Sequence, residues 1–413
     1  MSKDVIVLGA GMVGVSTALH LQQRGRSVAL VDRNGVANET SYGNAGIIQR
    51  EGIVPYLFPR EWSTILRHAR NQSTEAAFQW SSLPSIASWM FKYWHWSTEA
   101  GMHSTARAMA PIVTRCVDEH EAFMNEAGVI GMIRKTGYLR LYRTQQELDK
   151  AIKEDVAVKA QYGVVAKPLT AAELSEMEPH LKPIYAGAVF LPDPASVGDP
   201  GALGKAYGDL FARKGGAVLE GEARSLARDG AGWKVATRDG WISAPNVVIA
   251  LGPWSGAVTK AHGVSVPLGW KRGYHMHYRA QGNATLGRPT IDASVGFAMA
   301  PMTKGIRITT GAEFATIDAP ANPVQLERVE PLARAGFPLA ERVEDVPWLG
   351  RRPTMPDMLP VIGEAAKQKG LWMNFGHHHL GFTLGPVTGR LLAEMMTGEK
   401  TFTDPTPYRA ERF

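Results

Sequence analysis

Three glycines, an acid and two later groups of hydrogen-bonding side chains carry the chemistry open to this sequence. Gly9, Gly11 and Gly14 stand in G-x-G-x-x-G spacing. Between a strand and a helix, the first glycine permits a tight turn and the second lets backbone approach a pyrophosphate. The third lets helix and strand pack closely. Free N–H groups and the dipole at the helix start favour the anion. Asp32 stands where a ribose needs an acceptor; its neighbour Arg33 would suit a 2′-phosphate, which Asp32 opposes. The segment Thr40-Ser41-Tyr42-Gly43-Asn44-Ala45-Gly46-Ile47 is crowded with small and hydroxyl residues. It suits a loop wrapping a phosphate chain, and equally a plain loop. Tyr274, His275 and His277 share one stretch, and His377, His378 and His379 are consecutive. Adjacent histidines cannot all face one ion and no cysteine or acid joins them, so no metal site is expected.

The elements that position these residues are legible from periodicity. Val5–Leu8 is a short apolar run, as expected of a strand buried on both faces. Residues 13–21 are apolar at helical period, with Gly25 as the stop, and 27–31 form a second buried strand ending at Asp32. A complete strand–helix–strand makes the glycine motif specific for a dinucleotide. Further strands are expected at 137–142, 187–191, 273–279, 296–302 and 306–314. An apolar strand at 247–251 runs into Gly252-Pro253-Trp254, and another at 371–375 runs into the histidines. Helices are expected at 107–127, 145–162, 170–177, 200–214, 325–335 and 386–397.

The chain has 413 residues, enough for two sizeable cores, with 45% hydrophobic and 20% charged residues. A net charge of +6 without a dense basic block argues against a nucleic-acid partner. Cys116 is the sole cysteine, which fits a reducing compartment. No leader peptide and no membrane span are expected, because the first apolar helix belongs to the glycine motif. The location expected is cytoplasmic. Residues 55–130 are rich in aromatics, among them Trp62, Trp80, Trp89, Trp94 and Trp96. Such helices either lie peripherally in a membrane interface at its inner face or simply pack onto a second domain.

Two longer motifs carry a resemblance. Thr40 to Gly46 reads T-S-x-x-N-A-G, and residues 350–363 read G-x-R-P-x-x-P-D-x-x-P-x-I-G. With the glycine motif and Asp32 in order before them, nearly the whole chain resembles the D-amino-acid dehydrogenase and glycine/D-amino-acid oxidase superfamily of FAD enzymes. The resemblance implies an α/β fold. A Rossmann-like FAD-binding domain (1–54, 192–266 and 345–413) would interlace with an α+β substrate domain on a mixed sheet (55–191 and 267–344). Three visits to the nucleotide domain suit FAD, whose flavin must reach a second domain, better than NAD.

The same resemblance implies a set of contacts. FAD would lie along Gly9, Gly11, Met12, Val13, Gly14, Asp32, Arg33, Thr40, Ser41, Asn44, Ala45, Gly46 and Ile47. Ala223 would meet the adenine, and Gly252 and Trp254 would flank the diphosphate. His377, His378, Leu380, Gly381, Phe382 and Thr383 would close over the flavin, with the helix dipole favouring its anionic reduced form. Arg352 would anchor a substrate carboxylate through its planar fork, with Arg351 as the rival one position away. Tyr274 and His379 would contact the substrate. His378 and His379 depart from the smaller residues common there.

The activity so implied is oxidation of a D-amino acid to an imino acid, which water hydrolyses to a 2-oxo acid. A cyclic substrate such as a D-proline derivative would give a pyrroline. Electrons would pass to a quinone-type acceptor or an acceptor protein. The alternatives are a glycine- or sarcosine-type oxidase using O₂ and a non-catalytic flavin-containing subunit of a larger complex.

Overall fold

The computed structural model describes residues 2–413, the side chains of residues 63 and 69 excepted. The first sheet among them has eight strands. Its centre is five parallel strands: Ala217–Asp229, Val28–Asp32, Val5–Leu8, Asn246–Ile249 and Leu371–Phe375, in that order. The inner four are buried on both faces, as parallel strands between helices require, whereas Ala217–Asp229 at the side alternates half-buried and exposed residues. The long Ala217–Asp229 strand leaves Val28–Asp32 after Glu220 and continues as the first strand of an antiparallel meander with Gly232–Thr237 and Gly240–Ala244.

Two parallel helices lie side by side on this sheet. A Cβ on Gly385 would come within 2.7 Å of Met12 Cγ, and one on Gly389 within 2.8 Å of the Thr17 nitrogen. The two glycines, four residues apart, let Gly381–Thr397 settle directly on Met12–Gln23. Contact between like ends shows that the helices run in the same direction. Both N-termini therefore open at one place. The second helix starts at Gly381, five residues before the expected Pro386, which is accommodated inside it.

The second sheet is mixed and has eleven strands among the described residues. Gly269–Ala280 is its hub, pairing antiparallel with Trp348–Thr354 on one side and Gly305–Thr309 and Ala312–Phe314 on the other. The expected 306–314 strand is broken at Thr310 and Gly311. Trp348–Thr354 was expected in the returning FAD-binding segment from residue 345. It is instead a strand of the second sheet, because its backbone pairs with Gly269–His275 over its whole length.

The helical region also differs from expectation. The single helix expected at 107–127 is two, Glu99–Val113 and Cys116–Ala127, with Thr114 and Arg115 between them. Met109, Ile112, Val113, Phe123 and Met124 join the core around Leu391 and Leu19, so these helices pack on the first sheet's helices and not on the second sheet. Gln145–Ala151 and Ala157–Ala160 are separated by a π-helical turn, Ile152–Val156. Thr170 caps Ala171–Met177 in a reciprocal box with Glu173, as the spacing predicts.

Candidate active site

One cavity of about 930 Å³ runs between the two sheets and takes in both helix N-termini. At one end it is built by the glycine turn. Gly9 has φ +100°, and a Cβ there would lie 2.5 Å from the Ala250 carbonyl oxygen. A Cβ on Gly14 would lie 1.8 Å from the Gly9 carbonyl oxygen. Gly11 is different. Its Cβ would meet nothing nearer than Ser41 Oγ at 3.2 Å. The protein's own packing hardly requires a glycine there, but the close approach of a ligand to the backbone does. The residues thus fit a pyrophosphate at this helix start.

The surrounding groups are arranged to match. Asp32 accepts from the Ala10 N–H at 2.8 Å and the Asn34 N–H at 2.7 Å, which fixes its carboxylate at the cavity wall. Ser41 Oγ accepts from the Met12 N–H at 2.9 Å. Thr40 donates to the Arg351 carbonyl, and Asn44 Oδ1 accepts from the Gly46 N–H. The Arg33 guanidinium lies 4.7 Å from the Trp254 ring centroid, next to Ala223 and Gly252 on the lining.

Met12, Val13, Ala45 and Ile47 also line the cavity, as do His377, His378, Gly381 and Phe382. Gly14, Gly46, Leu380 and Thr383 stand behind that lining. Leu380 is buried against Gly52. Thr383 accepts from the Gln49 N–H and donates to the Ile47 carbonyl, tying the second helix to the 40–49 loop. Among the described residues there is no group of three or more metal-ligating side chains.

The other end is organised by strand parity. On Gly269–Ala280, residues 271, 273, 275 and 277 share one face. Lys271, Gly273 and His275 line the cavity. Lys271 stands opposite Arg352 in the register with Trp348–Thr354, so the two side chains leave the sheet together. The Arg352 guanidinium lies against Gly273, where a Cβ would be 2.7 Å from Nη2. It donates to the carbonyls of Gly311 at 2.9 Å, Thr310 at 3.3 Å and Arg272 at 3.4 Å. The gap between the two neighbouring strands supplies the first two carbonyls. Among the described residues no carboxylate pairs with Arg352.

Tyr274, expected to touch substrate, is also on the cavity lining, but its side chain leaves the strand on the opposite face. Its hydroxyl donates to Glu313 Oε2 at 3.1 Å and accepts from Arg272 and the Asn322 N–H. The ring is 2% exposed, so the hydroxyl is committed to the interior. His275 stacks on Trp348 and His277 pairs with Glu344.

The histidine turn divides its labour. His377 Nε2 is bonded to Thr388 within the second helix. His378 adopts φ +46°, and its Nδ1 meets His379 Nδ1 at 3.0 Å. His379 projects beside Tyr56, with ring centroids 5.0 Å apart. Burial, reinforced by Arg352 and Lys271, pushes the His379 pKa down to about 3, so it is neutral at physiological pH. Burial also pushes Lys271, next to Arg352, down to about 7. Sequence reasoning missed Lys271 and Tyr56. Counting in twos from His275 would have reached Lys271; Tyr56 carries no comparable local signal.

Residues 4–395 match the FAD dependent oxidoreductase (DAO) family, and the chain belongs to it. A D-amino-acid oxidase of Bradyrhizobium diazoefficiens is 30% identical, over 100% of this chain and 99% of its own length. A D-amino acid dehydrogenase of Paramagnetospirillum magneticum is 29% identical, over 99% and 98%. The crystal structure of glycine oxidase from Geobacillus kaustophilus has the same fold, with a TM-score of 0.74, 23% identity and coverage of 100% and 99%. The protein is an FAD-dependent oxidoreductase of the D-amino-acid oxidase fold.

Proposed function

We propose that the protein oxidises an amino acid, of D configuration, at its α-carbon, and passes the electrons to a quinone-type acceptor rather than to O₂. The observation that carries this reading is Arg352. A cation fixed by three carbonyls, without an acid partner among the described residues, faces the cavity that also holds the dinucleotide turn. A bidentate guanidinium suits a carboxylate. FAD, when bound, supplies the acceptor for the two electrons. Arg352 holds the carboxylate; the neutral His379 and Tyr56 flank it and add no positive charge. The half-buried cations Arg352 and Lys271 favour the uncharged substrate amine, the form that can be oxidised. The two relatives named as acting on D-amino acids support the configuration.

Anaerobic mixing with a panel of D- and L-amino acids, D-proline derivatives included, tests the reading by flavin bleaching. Failure of every amino acid to bleach the flavin would leave the non-catalytic subunit as the better reading. The oxidase alternative is favoured by the relative named D-amino-acid oxidase, and fast peroxide formation in air would establish it.

For the acceptor, the supporting feature is the surface of Trp62–Ala69 and Leu83–Trp96. Trp62, Trp80 and Phe91 are 77%, 59% and 64% exposed. Arg67 and Lys92 lie on these helices and Arg60 just before the first of them, and Trp80 and Arg67 line the cavity. A peripheral contact with the inner membrane face would bring a quinone to this opening. No described helix is long and apolar enough to cross a membrane. Flotation with anionic liposomes, lost on Trp62→Ser with Phe91→Ser, tests the contact.

A further inference from the structure

Two cations share the substrate end of the cavity, and a substrate's α-carboxylate neutralises only one. Lys271 and Arg352 are directly paired in register and leave the sheet on one face. Lys271 Nζ lies 3.9 Å from the Tyr93 ring centroid and 6.0 Å from that of Phe314. Among the described residues it makes no hydrogen bond and no ion pair. Its charged neighbours are Arg352, His378 and His379, all basic, and the hydroxyl of Tyr93 is engaged by the Tyr56 carbonyl. The acids along the cavity are elsewhere or already engaged. Asp32, Glu39 and Glu222 belong to the dinucleotide end, and Glu75 pairs with Arg67 at 3.0 Å. Of the other lining cations here, Arg140 is bound to Asp155 at 2.6 Å, and Arg351, on the other face of its strand, donates to the Ile317 carbonyl at 3.0 Å. An ammonium held in a half-buried position over an aromatic ring with no counter-charge gains from an anion placed beside it.

We propose that Lys271 receives a second carboxylate, carried on the substrate's side chain, and that the preferred substrates are acidic amino acids. The inference rests on the amino-acid reading above and deepens it. The alternative of both cations sharing the α-carboxylate leaves one positive charge uncompensated; a dicarboxylate compensates both. Arg352 is fixed by its carbonyl contacts and marks the α-carboxylate position, while Lys271 is flexible and lies over the aromatic wall. The side-chain methylenes would run along Tyr93 and Phe314 between the two charges. Binding of the second carboxylate also restores the full charge of Lys271, whose pKa burial has lowered to about 7.

The test uses pairs of equal size that differ in charge: D-glutamate against D-glutamine and D-aspartate against D-asparagine, with the L forms alongside. Anaerobic flavin reduction by the holoenzyme gives the ratio of rate over Kd within each pair. The acid is expected to exceed its amide by about 30-fold or more, the scale of losing one partner of a buried charge pair. In Lys271→Met the ratio should collapse, and Lys271→Arg should restore part of it. Amides as good as acids, or a preference that survives Lys271→Met, overturns the inference. In the unmodified holoenzyme, glutarate should perturb the flavin spectrum at lower concentration than butyrate; equal affinities overturn it without any variant. Bleaching by neutral amino acids with no acid preference leaves the amino-acid reading intact. No bleaching by any amino acid removes both.

Discussion

The Tyr274 hydroxyl donates to Glu313 Oε2 at 3.1 Å, inside an interior network with Arg272. The hydroxyl is thus engaged in satisfying a buried carboxylate and the Asn322 N–H. Tyr274→Phe leaves those groups short of a partner, which costs about 1–3 kcal/mol. Urea unfolding should show that loss while kcat/KM stays within about threefold of the parent, since activity moves only when a group touching substrate is removed. A large fall in kcat/KM with unchanged stability would place the hydroxyl at the substrate after all.

Gly11 and Gly14 separate ligand approach from internal packing. Gly14→Ala forces a methyl against the Gly9 carbonyl and should destabilise the fold outright. Gly11→Ala meets only Ser41 Oγ, so the apoprotein should unfold at nearly the parental temperature. FAD should nevertheless be lost, and the protein should purify pale. Retention of FAD by Gly11→Ala would show that the pyrophosphate does not approach that backbone. Asp32→Ala should also weaken FAD, by about tenfold or more if a charge-assisted ribose hydrogen bond is removed. Fluorescence titration with FAD reads it.

The first strand–helix–strand could be read from sequence because its signals are local. Periodicity, a glycine turn and an acid all fall within the first 32 residues. The capping box at Thr170 and Glu173 was legible for the same reason. Arg352 became a site residue only through its resemblance motif, because an arginine before Pro353 looks locally like a turn. Alternation separated Tyr274 from His275 and His277 but could not say which face meets the cavity; pairing with Trp348–Thr354 decides that. Likewise, no local pattern showed that Glu99–Val113 and Cys116–Ala127 bury against Gly381–Thr397, a contact between segments far apart in the chain.

Buried histidines predict acid lability. Burial holds His20 near 3, His120 near 4 and His377 near 3, against about 6.5 when unfolded. Above pH 6.5 both states are neutral there, and the full stability is present. As pH falls below that, the unfolded chain takes up protons that the folded chain refuses, so stability declines down to about pH 4 for His120 and about pH 3 for His20 and His377. Each such group costs up to about 1.4 kcal/mol per pH unit in this window. Urea midpoints at pH 7, 6 and 5 should fall steadily, and a flat profile would show that these imidazoles can ionise in place.

Arg352 is the sharpest test of the site. Its guanidinium is fixed by the carbonyls of Thr310, Gly311 and Arg272, faces Gly273, and lacks an acid partner among the described residues. Loss of one side of a desolvated charge pair costs roughly 2–5 kcal/mol. Arg352→Ala should therefore lower kcat/KM by about 30- to several-thousand-fold, at about 1.4 kcal/mol per decade. The flavin spectrum should stay nearly unchanged, because the residue is distant from the glycine turn in the chain and belongs to the other sheet. Arg352→Lys should recover little, since one ammonium cannot reproduce the fork or keep three carbonyl contacts. Arg351 is the internal control. It stands opposite Arg272, on the other face of the strand, and donates to the Ile317 carbonyl at 3.0 Å. Arg351→Ala should affect kcat/KM far less. The reverse order of the two variants would place the carboxylate on Arg351. Equal indifference would leave Lys271 as the anchor, and the acid-over-amide preference would then vanish with it.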